Sequence, residues 1–205
     1  SVLQSVKHVG IVTAYAVDDI GPRTVLHLER AGERTLAQYL RDEGRCSLDF
    51  LQRWGTDLLE VVRVLEDAGV PHRDIKPDNI GIRPRGRGDL QHLLLFDFSL
   101  SRTPYENIDA GTPGYRDPFL FERQNRRWDV LAERWGAAVV LYEMATGHRP
   151  RWPGGSDPTV NPGMEALIER DAFDPSVADA ITAFFTKALR RSPRERFDTV
   201  EEMQA

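Results

Sequence analysis

One segment constrains the fold of this chain more than any other: residues 128–147, WDVLAERWGAAVVLYEMATG. Apolar and small residues are spread around the whole circumference of the helix that this stretch predicts. A helix that is apolar on every side must be covered on every side. We therefore expect the rest of the chain to pack around residues 128–147, which predicts a mainly α-helical domain with this helix at its centre.

Further helices are predicted on both sides of that segment. Ser47 can cap a long amphipathic helix that ends at Gly69, where Pro71 enforces the stop. Thr35 can cap a shorter helix that stops near Gly44. The apolar residues of the long helix recur near helical spacing; they are Leu48, Leu51, Leu58, Leu59, Val62 and Leu65. Three more helical stretches are predicted near residues 163–170, 176–190 and 198–205.

Short β-type runs accompany the helices. Residues 11–17 and 24–29 predict a hairpin, because the turn-rich sequence DDIGPR lies between them. Residues 80–82 (IGI) and 92–98 (HLLLFDF) predict strands on either side of the basic turn RPRGRGD. The predicted fold class is thus mainly α, with a β fringe at the start and a small β element in the middle.

Composition and charge limit the function. The 205 residues carry a net charge of −5, which argues against general attraction to nucleic acid or to an anionic membrane. No apolar run approaches the roughly 18–20 residues that span a bilayer, and no signal peptide opens the chain. Cys46, the single cysteine, excludes an internal disulfide and a thiolate metal cluster. We expect a cytoplasmic protein, and its 24 arginines against three lysines favour a bacterial source.

The stretch PHRDIKPDNIGI, residues 71–82, concentrates polar side chains between two apolar runs. Asp74 can accept a proton from a hydroxyl nucleophile, and Lys76 can neutralise charge on a transferred group. Asn79 offers an oxygen to a hard cation, and Asp97 does so from the end of the LLLF run. A base, a lysine and two oxygen ligands are what phosphoryl transfer from a magnesium–nucleotide complex requires.

Five motifs then follow the order of one known family. HRDIKPDN resembles the catalytic loop of eukaryotic-type protein kinases, and LLLFDFS resembles their metal-binding segment, with Ser99 in the place of the usual glycine. GTPGYRDP, residues 111–118, is similar to the GT-x-Y-x-A-P run that closes the kinase activation segment. ERWGAAVVLYEMATGHRPRW and SPRERF are similar to the anchoring helix of the large lobe and to the D-P-x-x-R pattern.

The resemblance also implies a division of the chain. HVGIV and TVLHLERAGERTLAQYL resemble the end of the kinase small lobe, the hinge and the first helix of the large lobe. Residues 1–30 would then be a remnant of the small lobe, and residues 31–205 the C-terminal lobe. The glycine-rich loop and the lysine that grips ATP would lie upstream of Ser1, in a longer parent with further domains. The isolated chain is expected to be inactive.

The resemblance assigns catalytic and metal-binding roles. Asp74 would orient the substrate hydroxyl, Lys76 would contact the γ-phosphate, and Thr112 would bond both of them. A lysine at position 76 and a threonine at position 112 resemble serine/threonine kinases and not tyrosine kinases. Asn79 and Asp97 would hold Mg²⁺.

Nucleotide-binding and regulatory roles are implied as well. The backbone of Glu29 and Ala31 would meet the adenine edge of ATP, and Gly81 would lie at the adenine floor. Arg73 would pair with a phosphate on the activation segment, or would serve only structurally because residues 97–118 form a short segment. The candidate phosphorylation sites are Ser99, Ser101, Thr103 and Tyr105.

Several supporting positions depart from the family pattern. Phe119 stands where a glutamate is expected, so Arg196 would lose its partner unless Asp117 or Glu122 replaces it. Glu133 replaces the aspartate that steadies the catalytic loop. Gly81 replaces a larger apolar residue, which predicts weaker stacking on the nucleotide.

Three functions therefore remain open at this point. The first is an active serine/threonine protein kinase acting on protein substrates. The second is a pseudokinase, a nucleotide-binding or scaffolding module that regulates a neighbouring domain. The third is a small-molecule phosphotransferase, which would not need GTPGYRDP, a peptide-docking element. The stretch from Phe173 to Met203 resembles kinase modules of large bacterial phage-defence proteins.

Overall fold

The computed structural model describes residues 6–85, 90–155, 157–161 and 163–205. Within these ranges the chain forms five α-helices and two small β-sheets. The strands are β1 (Ala14–Ile20), β2 (Arg23–Leu28), β3 (Arg34–Thr35), β4 (Ile80–Arg85) and β5 (Leu90–Leu95). The helices are α1 (Leu36–Glu43), α2 (Leu48–Asp67), α3 (Val130–Thr146), α4 (Ala178–Ala188) and α5 (Val200–Gln204).

Helix α3 is the centre of the core, as its sequence predicts. It begins at Val130 because the side chain of Asp129 caps it, accepting a hydrogen bond from the backbone N–H of Ala132. It ends at Gly147, whose φ of 83° is left-handed. Most of the helix is buried, and α2 and α4 pack against it. Its mainly apolar surface thus fixes the arrangement of the domain.

The predicted caps of the first two helices are confirmed. The Thr35 hydroxyl accepts a hydrogen bond from Gln38 N, and the Gln38 side-chain oxygen accepts one from the Thr35 backbone N–H. The Ser47 hydroxyl accepts a hydrogen bond from Phe50 N at the start of α2. After α2, Gly69 takes a φ of 64°, which turns the chain into the segment that follows.

The strands differ from the predicted bounds. Strands β1 and β2 form an antiparallel hairpin, but β1 starts three residues later than expected, and Ile11 instead bridges Leu95. Strands β3, β4 and β5 form the second sheet in that order, all antiparallel. Strand β5 stops at Leu95, so residues 96–98 leave the sheet. Residues 86–89 of the basic turn lie outside the described residues.

The helix predicted at residues 163–170 is wrong. Gly163 has a φ of 79°, outside the helical region, and Leu167 pairs with Arg151 in an isolated β-bridge. The two following helices are confirmed with shorter bounds. Before α4, the Asp174 carboxylate accepts hydrogen bonds from the backbone N–H and hydroxyl of Ser176, which holds a turn there, and the helix starts at Ala178 without a side-chain cap.

Candidate active site

The segment between α2 and β4 is held from below by Glu133 of α3. The carboxylate of Glu133 accepts hydrogen bonds from His72 N at 3.2 Å, Arg73 N at 2.9 Å and Trp128 Nε1 at 2.5 Å. Burial raises the pKa of Glu133 to about 7, against the opposing effect of these donors. The glutamate at this position therefore reaches the loop backbone despite its extra methylene.

His72 fixes the loop from the other side. Its Nε2 lies 2.9 Å from the carbonyl oxygen of Phe96, and its Nδ1 accepts a hydrogen bond from Asp74 N at 3.2 Å. Burial lowers the pKa of His72, which favours the neutral ring. With His72 neutral, Nε2–H donates to Phe96 and Nδ1 is free to accept. The histidine thus joins the two segments that carry Asp74 and Asp97.

The carboxylate of Asp74 gathers four donors. Its Oδ1 accepts from the backbone N–H of Thr112 at 2.9 Å and from the Thr112 hydroxyl at 2.7 Å. Its Oδ2 lies 2.8 Å from Lys76 Nζ and accepts from Asn79 Nδ2 at 3.0 Å. Burial raises the pKa of Asp74, but the hydrogen bonds from Lys76 and Thr112 outweigh it, so the pKa is lowered. Asp74 is therefore held as a carboxylate.

The other members of the predicted site converge on the same point. Lys76 Nζ donates to the Thr112 hydroxyl at 2.7 Å, which closes a triangle of Asp74, Lys76 and Thr112. Asn79 donates through Nδ2 to both the backbone carbonyl and the carboxylate of Asp74. No described group bonds the Asn79 Oδ1, which leaves an oxygen available as a ligand. The fold thus brings the three predicted catalytic residues into mutual contact, two from one loop and Thr112 from a separate segment.

Asp97 lies at the open end of β5. It is exposed, its φ is 62°, and its Oδ1 accepts one hydrogen bond, from Ser99 N at 3.3 Å. The residue before it, Phe96, donates its N–H to the Asn79 carbonyl at 3.0 Å, so Asp97 and Asn79 occupy adjacent positions on neighbouring chain segments. A carboxylate and an amide oxygen are hard ligands that fit Mg²⁺. Among the described residues no group of three or more His, Cys, Asp or Glu side chains forms a complete metal cage.

The region that the resemblance assigns to the nucleotide is built from backbone. A Cβ placed on Gly81 would lie 1.8 Å from the carbonyl oxygen of Ala31, so main chain fills the space of a side chain there. Glu29 donates its N–H to the Thr13 carbonyl at 2.8 Å, and its carboxylate pairs with Arg83. Burial raises the pKa of Glu29, but the hydrogen bonds from Arg83 and Thr13 together with the charge of Arg83 outweigh it, so the pKa is lowered.

The buried arginine at position 196 keeps a partner. Arg196 Nη1 lies 2.6 Å from Asp117 Oδ2, with both side chains almost fully buried, and the Arg196 guanidinium stacks on Trp135 at 4.5 Å. Of the two replacements considered from the sequence, Asp117 fills the role, whereas Glu122 pairs with Arg191. Phe119 packs edge-on against Trp135, with ring centroids 5.6 Å apart.

Two contacts of the site were not predicted from the sequence. Trp128 lies in the segment predicted as the central packed helix, and its indole N–H bonds the carboxylate of Glu133. Tyr105 was considered only as a phosphorylation site, yet Arg73 stacks on its ring with the guanidinium carbon 5.0 Å from the ring centroid. Trp128 and Glu133 are only five residues apart, but Trp128 precedes the first residue of α3, so helical spacing does not predict their contact. The contact of Arg73 with Tyr105 joins separate segments and has no local sequence signal.

Comparison with known proteins agrees with this geometry. The family model for the protein kinase domain matches residues 1–205. The chain belongs to the protein kinase family. It is 41% identical over 210 residues to the probable kinase PglW of Streptomyces coelicolor, covering 90% of this chain and 13% of that protein. It is 27% identical over 206 residues to the serine/threonine-protein kinase PkaA of the same organism, covering 96% and 36%.

Other relatives are eukaryotic. The chain is 28% identical over 152 residues to the serine/threonine-protein kinase ATG1a of Arabidopsis thaliana, covering 73% of this chain and 24% of that protein. In these three comparisons the match covers at most 36% of the relative's length. Within the described residues no helix is both long and apolar enough to cross a membrane.

Proposed function

We propose that this chain is the large lobe of an active serine/threonine protein kinase, which transfers phosphate from Mg²⁺-ATP to hydroxyl groups of proteins. The observation that carries the proposal is the closed triangle of Asp74, Lys76 and Thr112. Phosphoryl transfer depends mainly on positioning and on charge stabilisation. A carboxylate and an ammonium fixed beside one another supply both needs.

Each residue of the triangle has a distinct task. Asp74, held ionised, would accept the hydrogen bond of the substrate hydroxyl and orient its oxygen. Lys76 would stabilise the charge on the transferred group, and Thr112 keeps Asp74 and Lys76 in register by bonding both. When bound, Mg²⁺ would neutralise phosphate charge; Asn79 Oδ1 and the Asp97 carboxylate are the oxygens that would hold it.

The nucleotide would lie against the backbone of the segment that carries Glu29 and Ala31, which packs on β4 at Gly81. Gly81 contributes backbone to the floor of this region, so we expect adenine to meet Ala31 main chain there. The 205 residues contain no match to the glycine-rich loop or to the ATP-gripping lysine. We therefore propose that a small lobe and further domains complete a cytoplasmic parent protein, and that the 205 residues alone transfer no phosphate.

A pseudokinase is the second candidate, and one observation favours it. The carbonyl of Ala31 rests directly on Gly81, where a nucleotide-binding kinase normally presents an apolar side chain. Such a chain would act as a scaffold for a neighbouring domain. The intact contacts of Asp74 favour the enzyme over the scaffold.

An autophosphorylation assay with Mg²⁺-ATP separates the two candidates. The intact protein that carries this chain should label itself, whereas the Asp74→Asn variant should label at least about a thousandfold more slowly, because its neutral amide cannot accept the hydroxyl proton. Asp42→Asn, a change at an exposed position of α1, is the matched control and should label like the wild type. Equal labelling of wild type and Asp74→Asn, or none at any magnesium concentration, would favour the scaffold.

A further inference from the structure

Arg73, next to the proposed catalytic base, is a buried cation without a carboxylate partner. The residue is 2% exposed, and burial lowers the pKa of its guanidinium. Among the described residues no carboxylate oxygen forms an ion pair with its guanidinium. Its Nη1 donates to the carbonyl of Pro104 at 3.0 Å, whereas Nε and Nη2 have no hydrogen-bond partner in the described part of the chain. A cation so placed needs compensation from another kind of group.

Two aromatic rings supply it. The guanidinium carbon of Arg73 lies 5.0 Å from the ring centroid of Tyr105 and 5.5 Å from that of Trp128. Both rings also line a cavity of about 230 Å³ whose walls are mostly apolar. Cation–π attraction is stronger where water is displaced, so these rings can stabilise a buried guanidinium.

The backbone reinforces the same contact. Trp128 donates its N–H to the carbonyl of Tyr105 at 2.8 Å, immediately before the N-cap of α3. The chain at positions 104 and 105 is thus attached at three points: the Pro104 carbonyl, the Tyr105 ring and the Tyr105 carbonyl. These attachments lie in the middle of residues 97–118, hereafter the activation segment, whose later part carries Thr112.

We propose that Tyr105 is a positioning residue that clamps the activation segment onto Arg73, so that the catalytic arrangement forms without a phosphate on that segment. This inference rests on the proposed kinase function. Arg73 directly precedes Asp74, and Thr112 of the clamped segment bonds the Asp74 carboxylate. Release of Tyr105 would therefore loosen the bond between Thr112 and Asp74, which lowers kcat and leaves the KM for ATP unchanged.

The test compares three variants of the intact protein after phosphatase treatment. Tyr105→Ala should lower kcat about tenfold with an unchanged KM for ATP, because the stacking is lost. Tyr105→Phe should restore the wild-type rate, since it keeps the ring. A variant without the serine and threonine candidate phosphorylation sites should stay within about twofold of wild type; it combines Ser99→Ala, Ser101→Ala and Thr103→Ala, while Tyr105→Phe removes the fourth candidate site.

Amide hydrogen exchange tests, independently of activity, whether Tyr105 holds the activation segment. Amide exchange in the activation segment should accelerate at least about tenfold in Tyr105→Ala and should be unchanged in Tyr105→Phe. If neither kcat nor exchange changes in Tyr105→Ala, the clamp is refuted. A loss of activity in phosphatase-treated wild type or in the triple variant would show that a phosphate, and not Tyr105, holds the segment. If wild type and Asp74→Asn both lack kinase activity, the kinase proposal fails. Amide hydrogen exchange alone then reports whether Tyr105 holds the activation segment.

Discussion

The part of the site proposed to act in catalysis, hereafter the catalytic side, and the part proposed to meet the nucleotide, hereafter the nucleotide side, are built in different ways. On the catalytic side, the carboxylate of Asp74 meets four donors within 3.0 Å, and Glu133 holds the loop backbone beneath it. On the nucleotide side, Asp97 is exposed and accepts one hydrogen bond, while the floor at Gly81 is covered by main chain. The carboxylate oxygens of Asp74 on the catalytic side are hydrogen-bonded within the protein, whereas the Asp97 carboxylate on the nucleotide side keeps free acceptor capacity.

This difference indicates which parts of the reaction the chain prepares in advance. The groups that orient the hydroxyl and stabilise charge are fixed by the fold, at no cost when substrate arrives. Asn79 Oδ1 and Asp97 keep free lone pairs, as groups that share a cation with substrate phosphates should. Changes on the catalytic side should therefore alter kcat or local stability, and changes on the nucleotide side should alter the KM for ATP.

The largest expected effect concerns the support of the catalytic loop. The pKa of Glu133 is about 7 in the folded protein against 4.5 as its ordinary value, so the folded state holds this proton more tightly than the unfolded state. The contribution of Glu133 to stability is then fully present below about pH 4.5 and declines as the pH rises to about 7. At about 1.4 kcal/mol per pKa unit, the decline amounts to at most about 3 kcal/mol.

Glu133→Gln removes this titration. The free energy of unfolding of wild type minus that of Glu133→Gln should therefore be larger at pH 5 than at pH 7.5. Guanidinium unfolding followed through tryptophan fluorescence measures both free energies. Glu201→Gln, at an exposed position of α5, should show a difference that varies much less with pH. A wild-type advantage over Glu133→Gln that is the same at both pH values would contradict the raised pKa.

The next effect concerns the triangle itself. Thr112→Val keeps the shape of the side chain but removes the hydroxyl that bonds Asp74 and Lys76. Hydrogen bonds to charged groups are worth about 1.5–3 kcal/mol, so kcat should fall by roughly tenfold to a hundredfold. The KM for ATP should stay within about twofold, because the hydroxyl lies on the catalytic side.

Thr112→Ser provides the matched control, since it retains a hydroxyl at the same position. Steady-state kinetics of the intact protein should give Thr112→Ser a kcat near that of wild type. A Thr112→Val enzyme whose KM for ATP rises while kcat is unchanged would place Thr112 on the nucleotide side. That result would contradict the division of the site into a catalytic and a nucleotide side.

The contacts among Asp74, Lys76 and Asn79 follow from local signals in the sequence. Asp74, Lys76 and Asn79 lie within six consecutive residues, and their spacing alone brings them together at one loop. The central helix and the caps at Thr35 and Ser47 were equally local, since periodicity and a capping side chain act within a few residues.

Contacts between distant segments were beyond the reach of local patterns. The stacking of Arg73 on Tyr105 and the backbone contact of Ala31 with Gly81 depend on how separate elements dock. The helix expected at residues 163–170 failed for a related reason: the apolar residues there pack on the core from an irregular segment, which helical spacing alone does not distinguish from a helix.

The smallest expected effect concerns the nucleotide side. Gly81→Ala puts a methyl group 1.8 Å from the Ala31 carbonyl oxygen, so the segment that carries Ala31 must move away from β4. Because that segment is proposed to meet adenine, the KM for ATP should rise about fivefold while kcat stays within about twofold. Gly55→Ala is the control, because its new methyl group would meet only Leu141 at an ordinary 3.4 Å. A Gly81→Ala enzyme with an unchanged KM and a reduced kcat would show that the close approach of Ala31 serves the catalytic loop instead of the nucleotide.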